Sequence, residues 1–126
     1  MFKKTYQLFR QRGYRLRLLS AAFRNHMHWS ELIGGDVVIS PPYSWQVRFN
    51  ASDIRVHPRI NNPVSTEIVE TLLAKFPDFG RAYSENGLAP DEFDSFGPTL
   101  RTLRQFIQAC YELDALVLDC LAPDPD

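Results

Sequence analysis

Residues 3–42 alternate between helical and extended patterns, and this alternation limits the fold more than any other feature of the sequence. Residues 3–12 have helical spacing and end at Gly13, a residue typical of helix ends. Residues 14–22 alternate and then become apolar, which predicts a strand. A short helix is predicted over 26–33 with Asn25 as its N-cap, followed by a β-branched strand over 37–40 that is expected to be buried on both faces. Helices and strands in this order indicate a parallel sheet with outer helices.

Two strands cannot close a core, so this unit is predicted to be incomplete. The chain has 126 residues, which suits one domain but not a whole eight-stranded α/β barrel of about 250 residues. Its 44% apolar and 23% charged residues are ordinary for a folded chain and exclude global disorder.

The rest of the chain is predicted to be helical after an irregular stretch over 43–64. Helices are expected over 65–76 and 79–85, with a restart at Pro90. The clearest element is an amphipathic helix that starts near Pro98 and continues past Cys110 to Cys120, before a polar tail at 123–126. We therefore divide one partial domain into residues 1–42 and 43–126.

Charge is unevenly distributed although the net charge is only −1. Residues 1–24 hold seven of the fourteen basic residues and no acid, so the other seven share the rest of the chain with all fifteen acids. Apolar side chains interleave with the basic ones, which favours a solvated helix face over anion binding spread along the segment or a nucleic-acid arm. We expect no nucleic-acid partner, with binding through residues 3–24 as the weakest alternative.

The two cysteines and the apolar runs bear on the compartment. Cys110 and Cys120 lie about 15 Å apart on one predicted helix, too far for a disulfide, and free thiols suit a reducing cytosol. No apolar run reaches the roughly 18 residues that a membrane span needs, and the first residues lack the apolar core of a secretory signal. We expect a cytoplasmic protein with no membrane partner.

Arg24 follows the first predicted strand at the point where a helix begins. A helix N-terminus offers free N–H groups to an anion, and a guanidinium adds a planar, bidentate donor. In (β/α)₈ barrels, phosphate often binds at the loops after the last two strands. Arg24 is thus a candidate phosphate ligand; the alternative is that it pairs with a carboxylate such as Glu31.

Three strings in this region resemble the last two βα units of the transaldolase family. SAAFRN at residues 20–25 is similar to the end of the family's seventh strand, and GGD at 34–36 to the turn before the eighth. VVISP at 37–41 is similar to the eighth strand itself. The likeness covers about residues 3–42 and continues more weakly to about residue 121.

The resemblance implies an α/β fold made of the last two βα units of a TIM-type (β/α)₈ barrel followed by C-terminal helices, which is an incomplete barrel in this chain. It also implies Schiff-base transfer of a dihydroxyacetone unit between sugar phosphates, as in the pentose phosphate pathway, without a cofactor. The family's phosphate-binding arginine falls on Arg24, with Ser20, Asn25 and Ser40 as neighbouring site residues. One serine of the family falls on Ala22, which has no hydroxyl.

The family's Schiff-base lysine has no counterpart in this chain, because it lies on the fourth strand, which would precede residue 1. Lys3, Lys4 and Lys75 are each expected on a solvent-facing helix surface, where nothing desolvates the amine as a nucleophilic lysine requires. We therefore expect no catalytic residue and no aldol activity from this chain alone.

His26, His28, Glu31 and Asp36 do not predict a metal site. His26 and His28 would point about 200° apart on a helix, and His28 with Glu31 supplies only two ligands. We expect no metal.

Aromatic residues Trp29, Tyr43 and Trp45 form a predicted cluster. Packing in the core or in an interface is the favoured interpretation, and lining the mouth of a sugar site is the alternative.

Two functions follow. The first is a C-terminal fragment of a transaldolase-like enzyme, which supplies the phosphate-binding Arg24 and takes a sugar phosphate once the barrel is complete. The second is a non-catalytic interaction module, because two unclosed strands leave unpaired edges and an apolar face. Such a module would dock on a separate N-terminal half or form a homo-oligomer.

Overall fold

The computed structural model describes residues 1–122, which fall into two compact units, Met1–Thr71 and a second that begins at Leu72. The first unit contains α1 (Phe2–Gln11), β1 (Leu18–Ser20), α2 (Met27–Ser30), β2 (Val37–Ile39) and α3 (Tyr43–Asn50). Helix α4 (Thr66–Lys75) spans the division, and α5 (Pro77–Tyr83), a 3₁₀ helix (Pro90–Asp94) and α6 (Gly97–Leu121) follow. The fold is α/β, rich in helix, with two short parallel strands. Pro123 and the predicted tail lie outside the described residues.

Helix α1 ends as its sequence predicts. Gly13 has φ +64°, and its N–H donates to the Arg10 carbonyl while the Tyr14 N–H donates to the Phe9 carbonyl. This is a Schellman motif, and its usual apolar contact is present because the rings of Phe9 and Tyr14 meet edge to face at 5.1 Å. A side chain at position 13 would be strained at this φ.

The two strands pair in parallel, with Leu18 opposite Val37 and Ser20 opposite Ile39. The strand predicted over 14–22 is reduced to three residues because its partner is equally short. Ser40 donates to the Ser20 carbonyl, and the next residue along that strand whose N–H would face β1 is Pro42, which has none. Burial of β2 on both faces is also wrong, since Val38 is exposed together with its neighbour Leu19. The sheet therefore has one covered face and one open face.

The covered face packs on a small core of Tyr6, Leu32 and Ile60, with Phe2, Leu18, Val37 and Ile39 at its border. Gly34 lets the chain come this close to residues 58–60. It has φ +86°, and a Cβ there would lie 2.8 Å from Cβ of Pro58. The Arg59 and Ile60 N–H groups both donate to the Ile33 carbonyl, which fixes this crossing.

Residues 43–50 are helical, which corrects the prediction of an irregular stretch over 43–64. Trp45 and Phe49 lie one turn apart, with ring centroids 5.6 Å from each other, and both contact Phe23. The Gln46 side chain donates to the Pro41 carbonyl at the start of α3. Contact with the Phe23 ring, more than twenty residues earlier in the sequence, thus supports α3, although helix propensity alone predicted no helix there.

The second unit is built around Arg81 and the 3₁₀ helix. The Arg81 guanidinium donates to Glu92 at 3.0 Å and lies 5.5 Å from the ring centre of the buried Phe96. Glu92 also accepts the Ala89 N–H at 2.7 Å, and this bond, together with the charge of Arg81, lowers the pKa of the Glu92 carboxyl. The restart predicted at Pro90 is confirmed, and so is the long amphipathic helix α6.

Candidate functional site

The loop that follows β1 has the most unusual backbone of the first unit. Ala22 has φ +53°, the left-handed conformation, and it is the only non-glycine residue with a positive φ among residues 1–122. Such a conformation in a residue with a Cβ costs about 1–3 kcal/mol and persists only where surrounding contacts impose it. The loop that carries Arg24 is therefore held in place by its neighbours.

Phe23 supplies that restraint. Its side chain is 3% exposed and meets the rings of His28, Trp45 and Phe49 at centroid distances of 5.8, 6.4 and 5.5 Å. Trp29 joins the same cluster through Phe49, at 5.1 Å. Phe23 is thus an anchor placed directly before Arg24.

Of the predicted aromatic cluster, Trp29 and Trp45 come together but Tyr43 does not. Tyr43 is 79% exposed at the start of α3. The two tryptophans are joined by Phe23 and Phe49, neither of which was predicted from the sequence pattern. The spacing of Trp45 and Phe49, four residues apart, was the available signal.

Arg24 is exposed, and its Nη1 donates to the carbonyls of Ala22 and Phe23 at 3.1 and 3.0 Å. Among residues 1–122 no carboxylate forms an ion pair with it, and Glu31 pairs instead with Lys3. The alternative in which Arg24 pairs with Glu31 is therefore wrong. A guanidinium that lacks a carboxylate and folds over its own loop keeps donors for an anion.

The three other predicted site residues lie close to this loop but differ in what they offer. The Ser20 hydroxyl is buried and donates to the His28 carbonyl at 2.8 Å, so it already has a partner. The Asn25 side chain accepts the Met27 N–H at 2.9 Å, but the residue at the N-cap of α2 is His26, so the prediction that Asn25 is the N-cap is wrong by one residue. Ser40 is exposed, and its N–H donates to the Ser20 carbonyl, which places it beside the end of β1.

Helix α2 is shorter than predicted, and this changes the chemistry available at its start. It spans four residues rather than the eight expected, and the Asn25 side chain already occupies one of its free N–H groups. A single turn has a weak dipole and few free donors. Anion binding at this end of the sheet would therefore depend on Arg24 and on side chains such as Ser40.

Lys3 is not the solvent-facing residue that the sequence predicts. Its side chain is 11% exposed, and the ammonium donates to Glu31 at 2.7 Å and to the carbonyls of Arg59 and Asn62 at 2.9 and 3.0 Å. These contacts tie α1 to two distant segments. Lys75 is exposed at the end of α4. Lys3 is therefore a structural residue.

The histidines of α2 also contact protein groups. His26 Nδ1 lies 3.0 Å from the buried Ser30 hydroxyl, and His28 packs against Phe23. Asp36 pairs with Arg17 at 2.7 Å. Within residues 1–122, no three His, Cys, Asp or Glu side chains are grouped so that they could hold a metal ion.

No helix in the described part of the chain has the length and apolar character needed to cross a membrane. Comparison with family models, with curated proteins and with solved structures gave no match for this chain.

Proposed function

We propose that this chain is the C-terminal part of a transaldolase-like enzyme of sugar-phosphate metabolism, in which Arg24 binds the substrate phosphate. The two parallel strands would be the last two of a (β/α)₈ barrel, followed by C-terminal helices. The observation that carries the proposal is the exposed guanidinium, free of carboxylate partners, on a strained loop at the carboxyl end of β1.

The open face of the sheet supports this proposal. Leu19 and Val38 point away from the core beneath the sheet and are exposed, although both are aliphatic. In a barrel, strands carry helices on one side and interior side chains on the other, so each strand is covered on both faces. A piece of a barrel would leave such an apolar inner face open.

The chemistry proposed for this chain is binding alone. Arg24 would clamp the phosphate through two parallel N–H donors, and Ser40 would add a hydroxyl from the neighbouring strand end. The nucleophilic lysine would come from residues outside this chain, because the Lys3 ammonium is held by Glu31 and two carbonyls, and Lys4 and Lys75 are exposed. The proposal places the protein in the cytoplasm, which the two free cysteines support.

Titration of the whole chain with fructose 6-phosphate, and separately with unphosphorylated fructose, tests the phosphate site. We expect shifts of the Arg24 and Asn25 backbone amide signals in NMR spectra with the phosphate ester only, at millimolar affinity, about −4 kcal/mol, since the site is incomplete. Arg24→Ala should weaken binding at least about tenfold, the loss of one charge-assisted contact.

Arg15→Ala is the matched control, because this exposed arginine precedes β1 and lies beyond the other end of the strand. It should leave the affinity unchanged. Equal losses in the two variants would reduce the effect to net charge, and the absence of phosphate-dependent shifts in the wild type would refute the site.

A second candidate is an interaction module, and the specific observation for it is the sheet itself. In the described residues each strand has one unpaired edge, beside the open face of Leu19 and Val38. Such edges and apolar faces attract further strands or helices.

Hydrogen exchange at the amides of Leu18–Ser20 and Val37–Ile39, measured at low and high protein concentration, tests docking between copies. Protection that rises with concentration at these strands supports it. Exchange that does not depend on concentration contradicts it.

A further inference from the structure

Helix α6 exposes a continuous apolar stripe. None of its 25 residues is buried. At about 100° per residue, the side chains within roughly 60° of Cys110 are almost all apolar. The apolar side chains in this sector, each between 45% and 80% exposed, are Leu103, Phe106, Ile107, Leu113, Val117 and Leu121.

The charges of α6 are arranged opposite to what its own dipole favours. Arg101 and Arg104 lie in its first half without an acid, and Glu112, Asp114 and Asp119 lie in its second half without a base. The dipole of a helix favours acids near the start and bases near the end. A reversed arrangement is stabilised by a neighbouring helix that runs in the opposite direction, because basic and acidic halves then meet.

We propose that α6 pairs with α6 of a second copy of this chain, antiparallel, with Cys110 at the two-fold axis. Each copy would cover roughly 700 Å², from about seven side chains of on the order of 100 Å² each, close to the about 800 Å² that a partner contributes to a stable interface. This inference goes beyond the proposed function and does not depend on Arg24.

One cross-helix contact fixes the direction of the pair. Asp114 lies within the stripe, about 40° from Cys110, and Arg104 lies on the same flank at about 120°. With a two-fold axis at Cys110, Arg104 is about 9 Å before the axis, and Asp114 of the second copy is about 6 Å from it on the same side. The guanidinium can therefore reach that carboxylate, twice per dimer.

In a parallel pair of α6 helices, Arg104 cannot offset the charge of Asp114 in the second copy. The Asp114 side chains of the two copies would lie at the same height beside the stripe, where like charges repel each other. Arg104 would lie about 15 Å along the axis from the Asp114 carboxylate of the second copy. The charge pattern therefore selects the antiparallel arrangement among the two.

Disulfide trapping of the full chain tests the arrangement. Packed helices lie about 8–10 Å apart with Cα atoms about 2.3 Å from each axis, so the two Cys110 Cα atoms come within the about 7 Å that a disulfide allows. The two Cys120 residues would lie about 30 Å apart. We expect Cys120→Ala, which retains Cys110, to form a covalent dimer under mild oxidation, and Cys110→Ala to remain uncrosslinked.

Light scattering and sedimentation of the same proteins complete the test. Wild type should be a dimer, and Arg104→Asp should weaken dimerisation by about tenfold, as the loss of two exposed ion pairs predicts. Arg104→Asp with Asp114→Arg should restore the affinity to within about threefold. Arg101→Asp is the matched control, since Arg101 points about 180° from the stripe and the change in net charge is the same.

Each other outcome overturns the proposal. A monomer at all concentrations, including one whose stripe is covered within its own chain, excludes a second copy. Crosslinking through both cysteines indicates a parallel pair. A dimer that neither crosslinks through Cys110 nor responds to the Arg104 and Asp114 exchange uses another surface.

Discussion

Replacement of Lys3 by methionine should destabilise the first unit by about 2–3 kcal/mol. Methionine keeps most of the side-chain volume but removes an ammonium that has three acceptors. Hydrogen bonds to a charged group contribute about 1.5–3 kcal/mol, but the Glu31 side chain is 36% exposed, so solvent limits that ion pair to about 0.5–1 kcal/mol. Most of the loss should come from the two carbonyls, which are left without their donor.

Urea unfolding followed by tryptophan fluorescence measures this loss in the right unit, because both tryptophans, Trp29 and Trp45, lie in Met1–Thr71. In thermal unfolding followed by the same fluorescence, the melting temperature should fall by roughly 10–20 °C, since 1 kcal/mol shifts a unit of this size by about 4–8 °C. Glu31→Gln, which removes one charge and keeps the carbonyl contacts, should cost only about 1 kcal/mol.

Lys75→Met is the control, because it makes the same substitution at an exposed position of α4 beyond the unit that the tryptophans report. It should leave the transition within about 0.5 kcal/mol of wild type. A Lys3→Met transition equally close to wild type would refute the structural role, and a Glu31→Gln loss as large as that of Lys3→Met would show that the ion pair dominates over the carbonyl contacts.

Three further results are expected. In the same fluorescence assay, Gly13→Ala should cost about 1–2 kcal/mol from its positive φ, and Gly34→Ala distinctly more because its Cβ also meets Pro58; equal losses would contradict the close crossing. Because the pKa of Glu92 is lowered in the folded chain, its cap should be complete above about pH 4.5 and lost as pH falls through the folded pKa. The Ala89 amide shift in NMR should follow that titration in wild type but not in Glu92→Gln. Borohydride reduction with fructose 6-phosphate should leave the mass of the chain unchanged, whereas a covalent adduct would reveal a nucleophilic lysine.

Local sequence patterns predicted the helices whose apolar residues recur with helical spacing. The starts and ends of α1, α4 and α6 follow from apolar periodicity, from Gly13 and from Pro98. Helix α3 did not follow from its sequence, because its Trp45 and Phe49 rings pack on Phe23, a contact that no local window contains. Nonlocal packing commonly overrides weak propensity in this way.

The site was predictable in position but not in conformation. A strand followed by Arg24 placed the guanidinium at the end of β1, as observed. The left-handed conformation of Ala22 depends on the anchoring of Phe23. The burial of Lys3 depends on the carbonyls of residues 59 and 62, and nothing in the sequence around those residues predicts a contact with α1. Strand length likewise depended on the partner strand rather than on the run of residues 14–22.

Tests of the Arg24 site and of the apolar stripe of α6 together distinguish the two candidate functions, an enzyme fragment and an interaction module. Under the proposed function, phosphate binding through Arg24 needs a pocket that further strands would complete, because one exposed guanidinium gives little affinity in water. Pairing of α6 needs only the stripe and the charges on one helix. A chain that dimerises through Cys110 but ignores phosphate would therefore be an interaction module, since its contacts are complete without further strands. A chain that binds phosphate through Arg24, however weakly, would retain the directional hydrogen bonding of a substrate site, because packing alone does not require an exposed guanidinium above a strained loop.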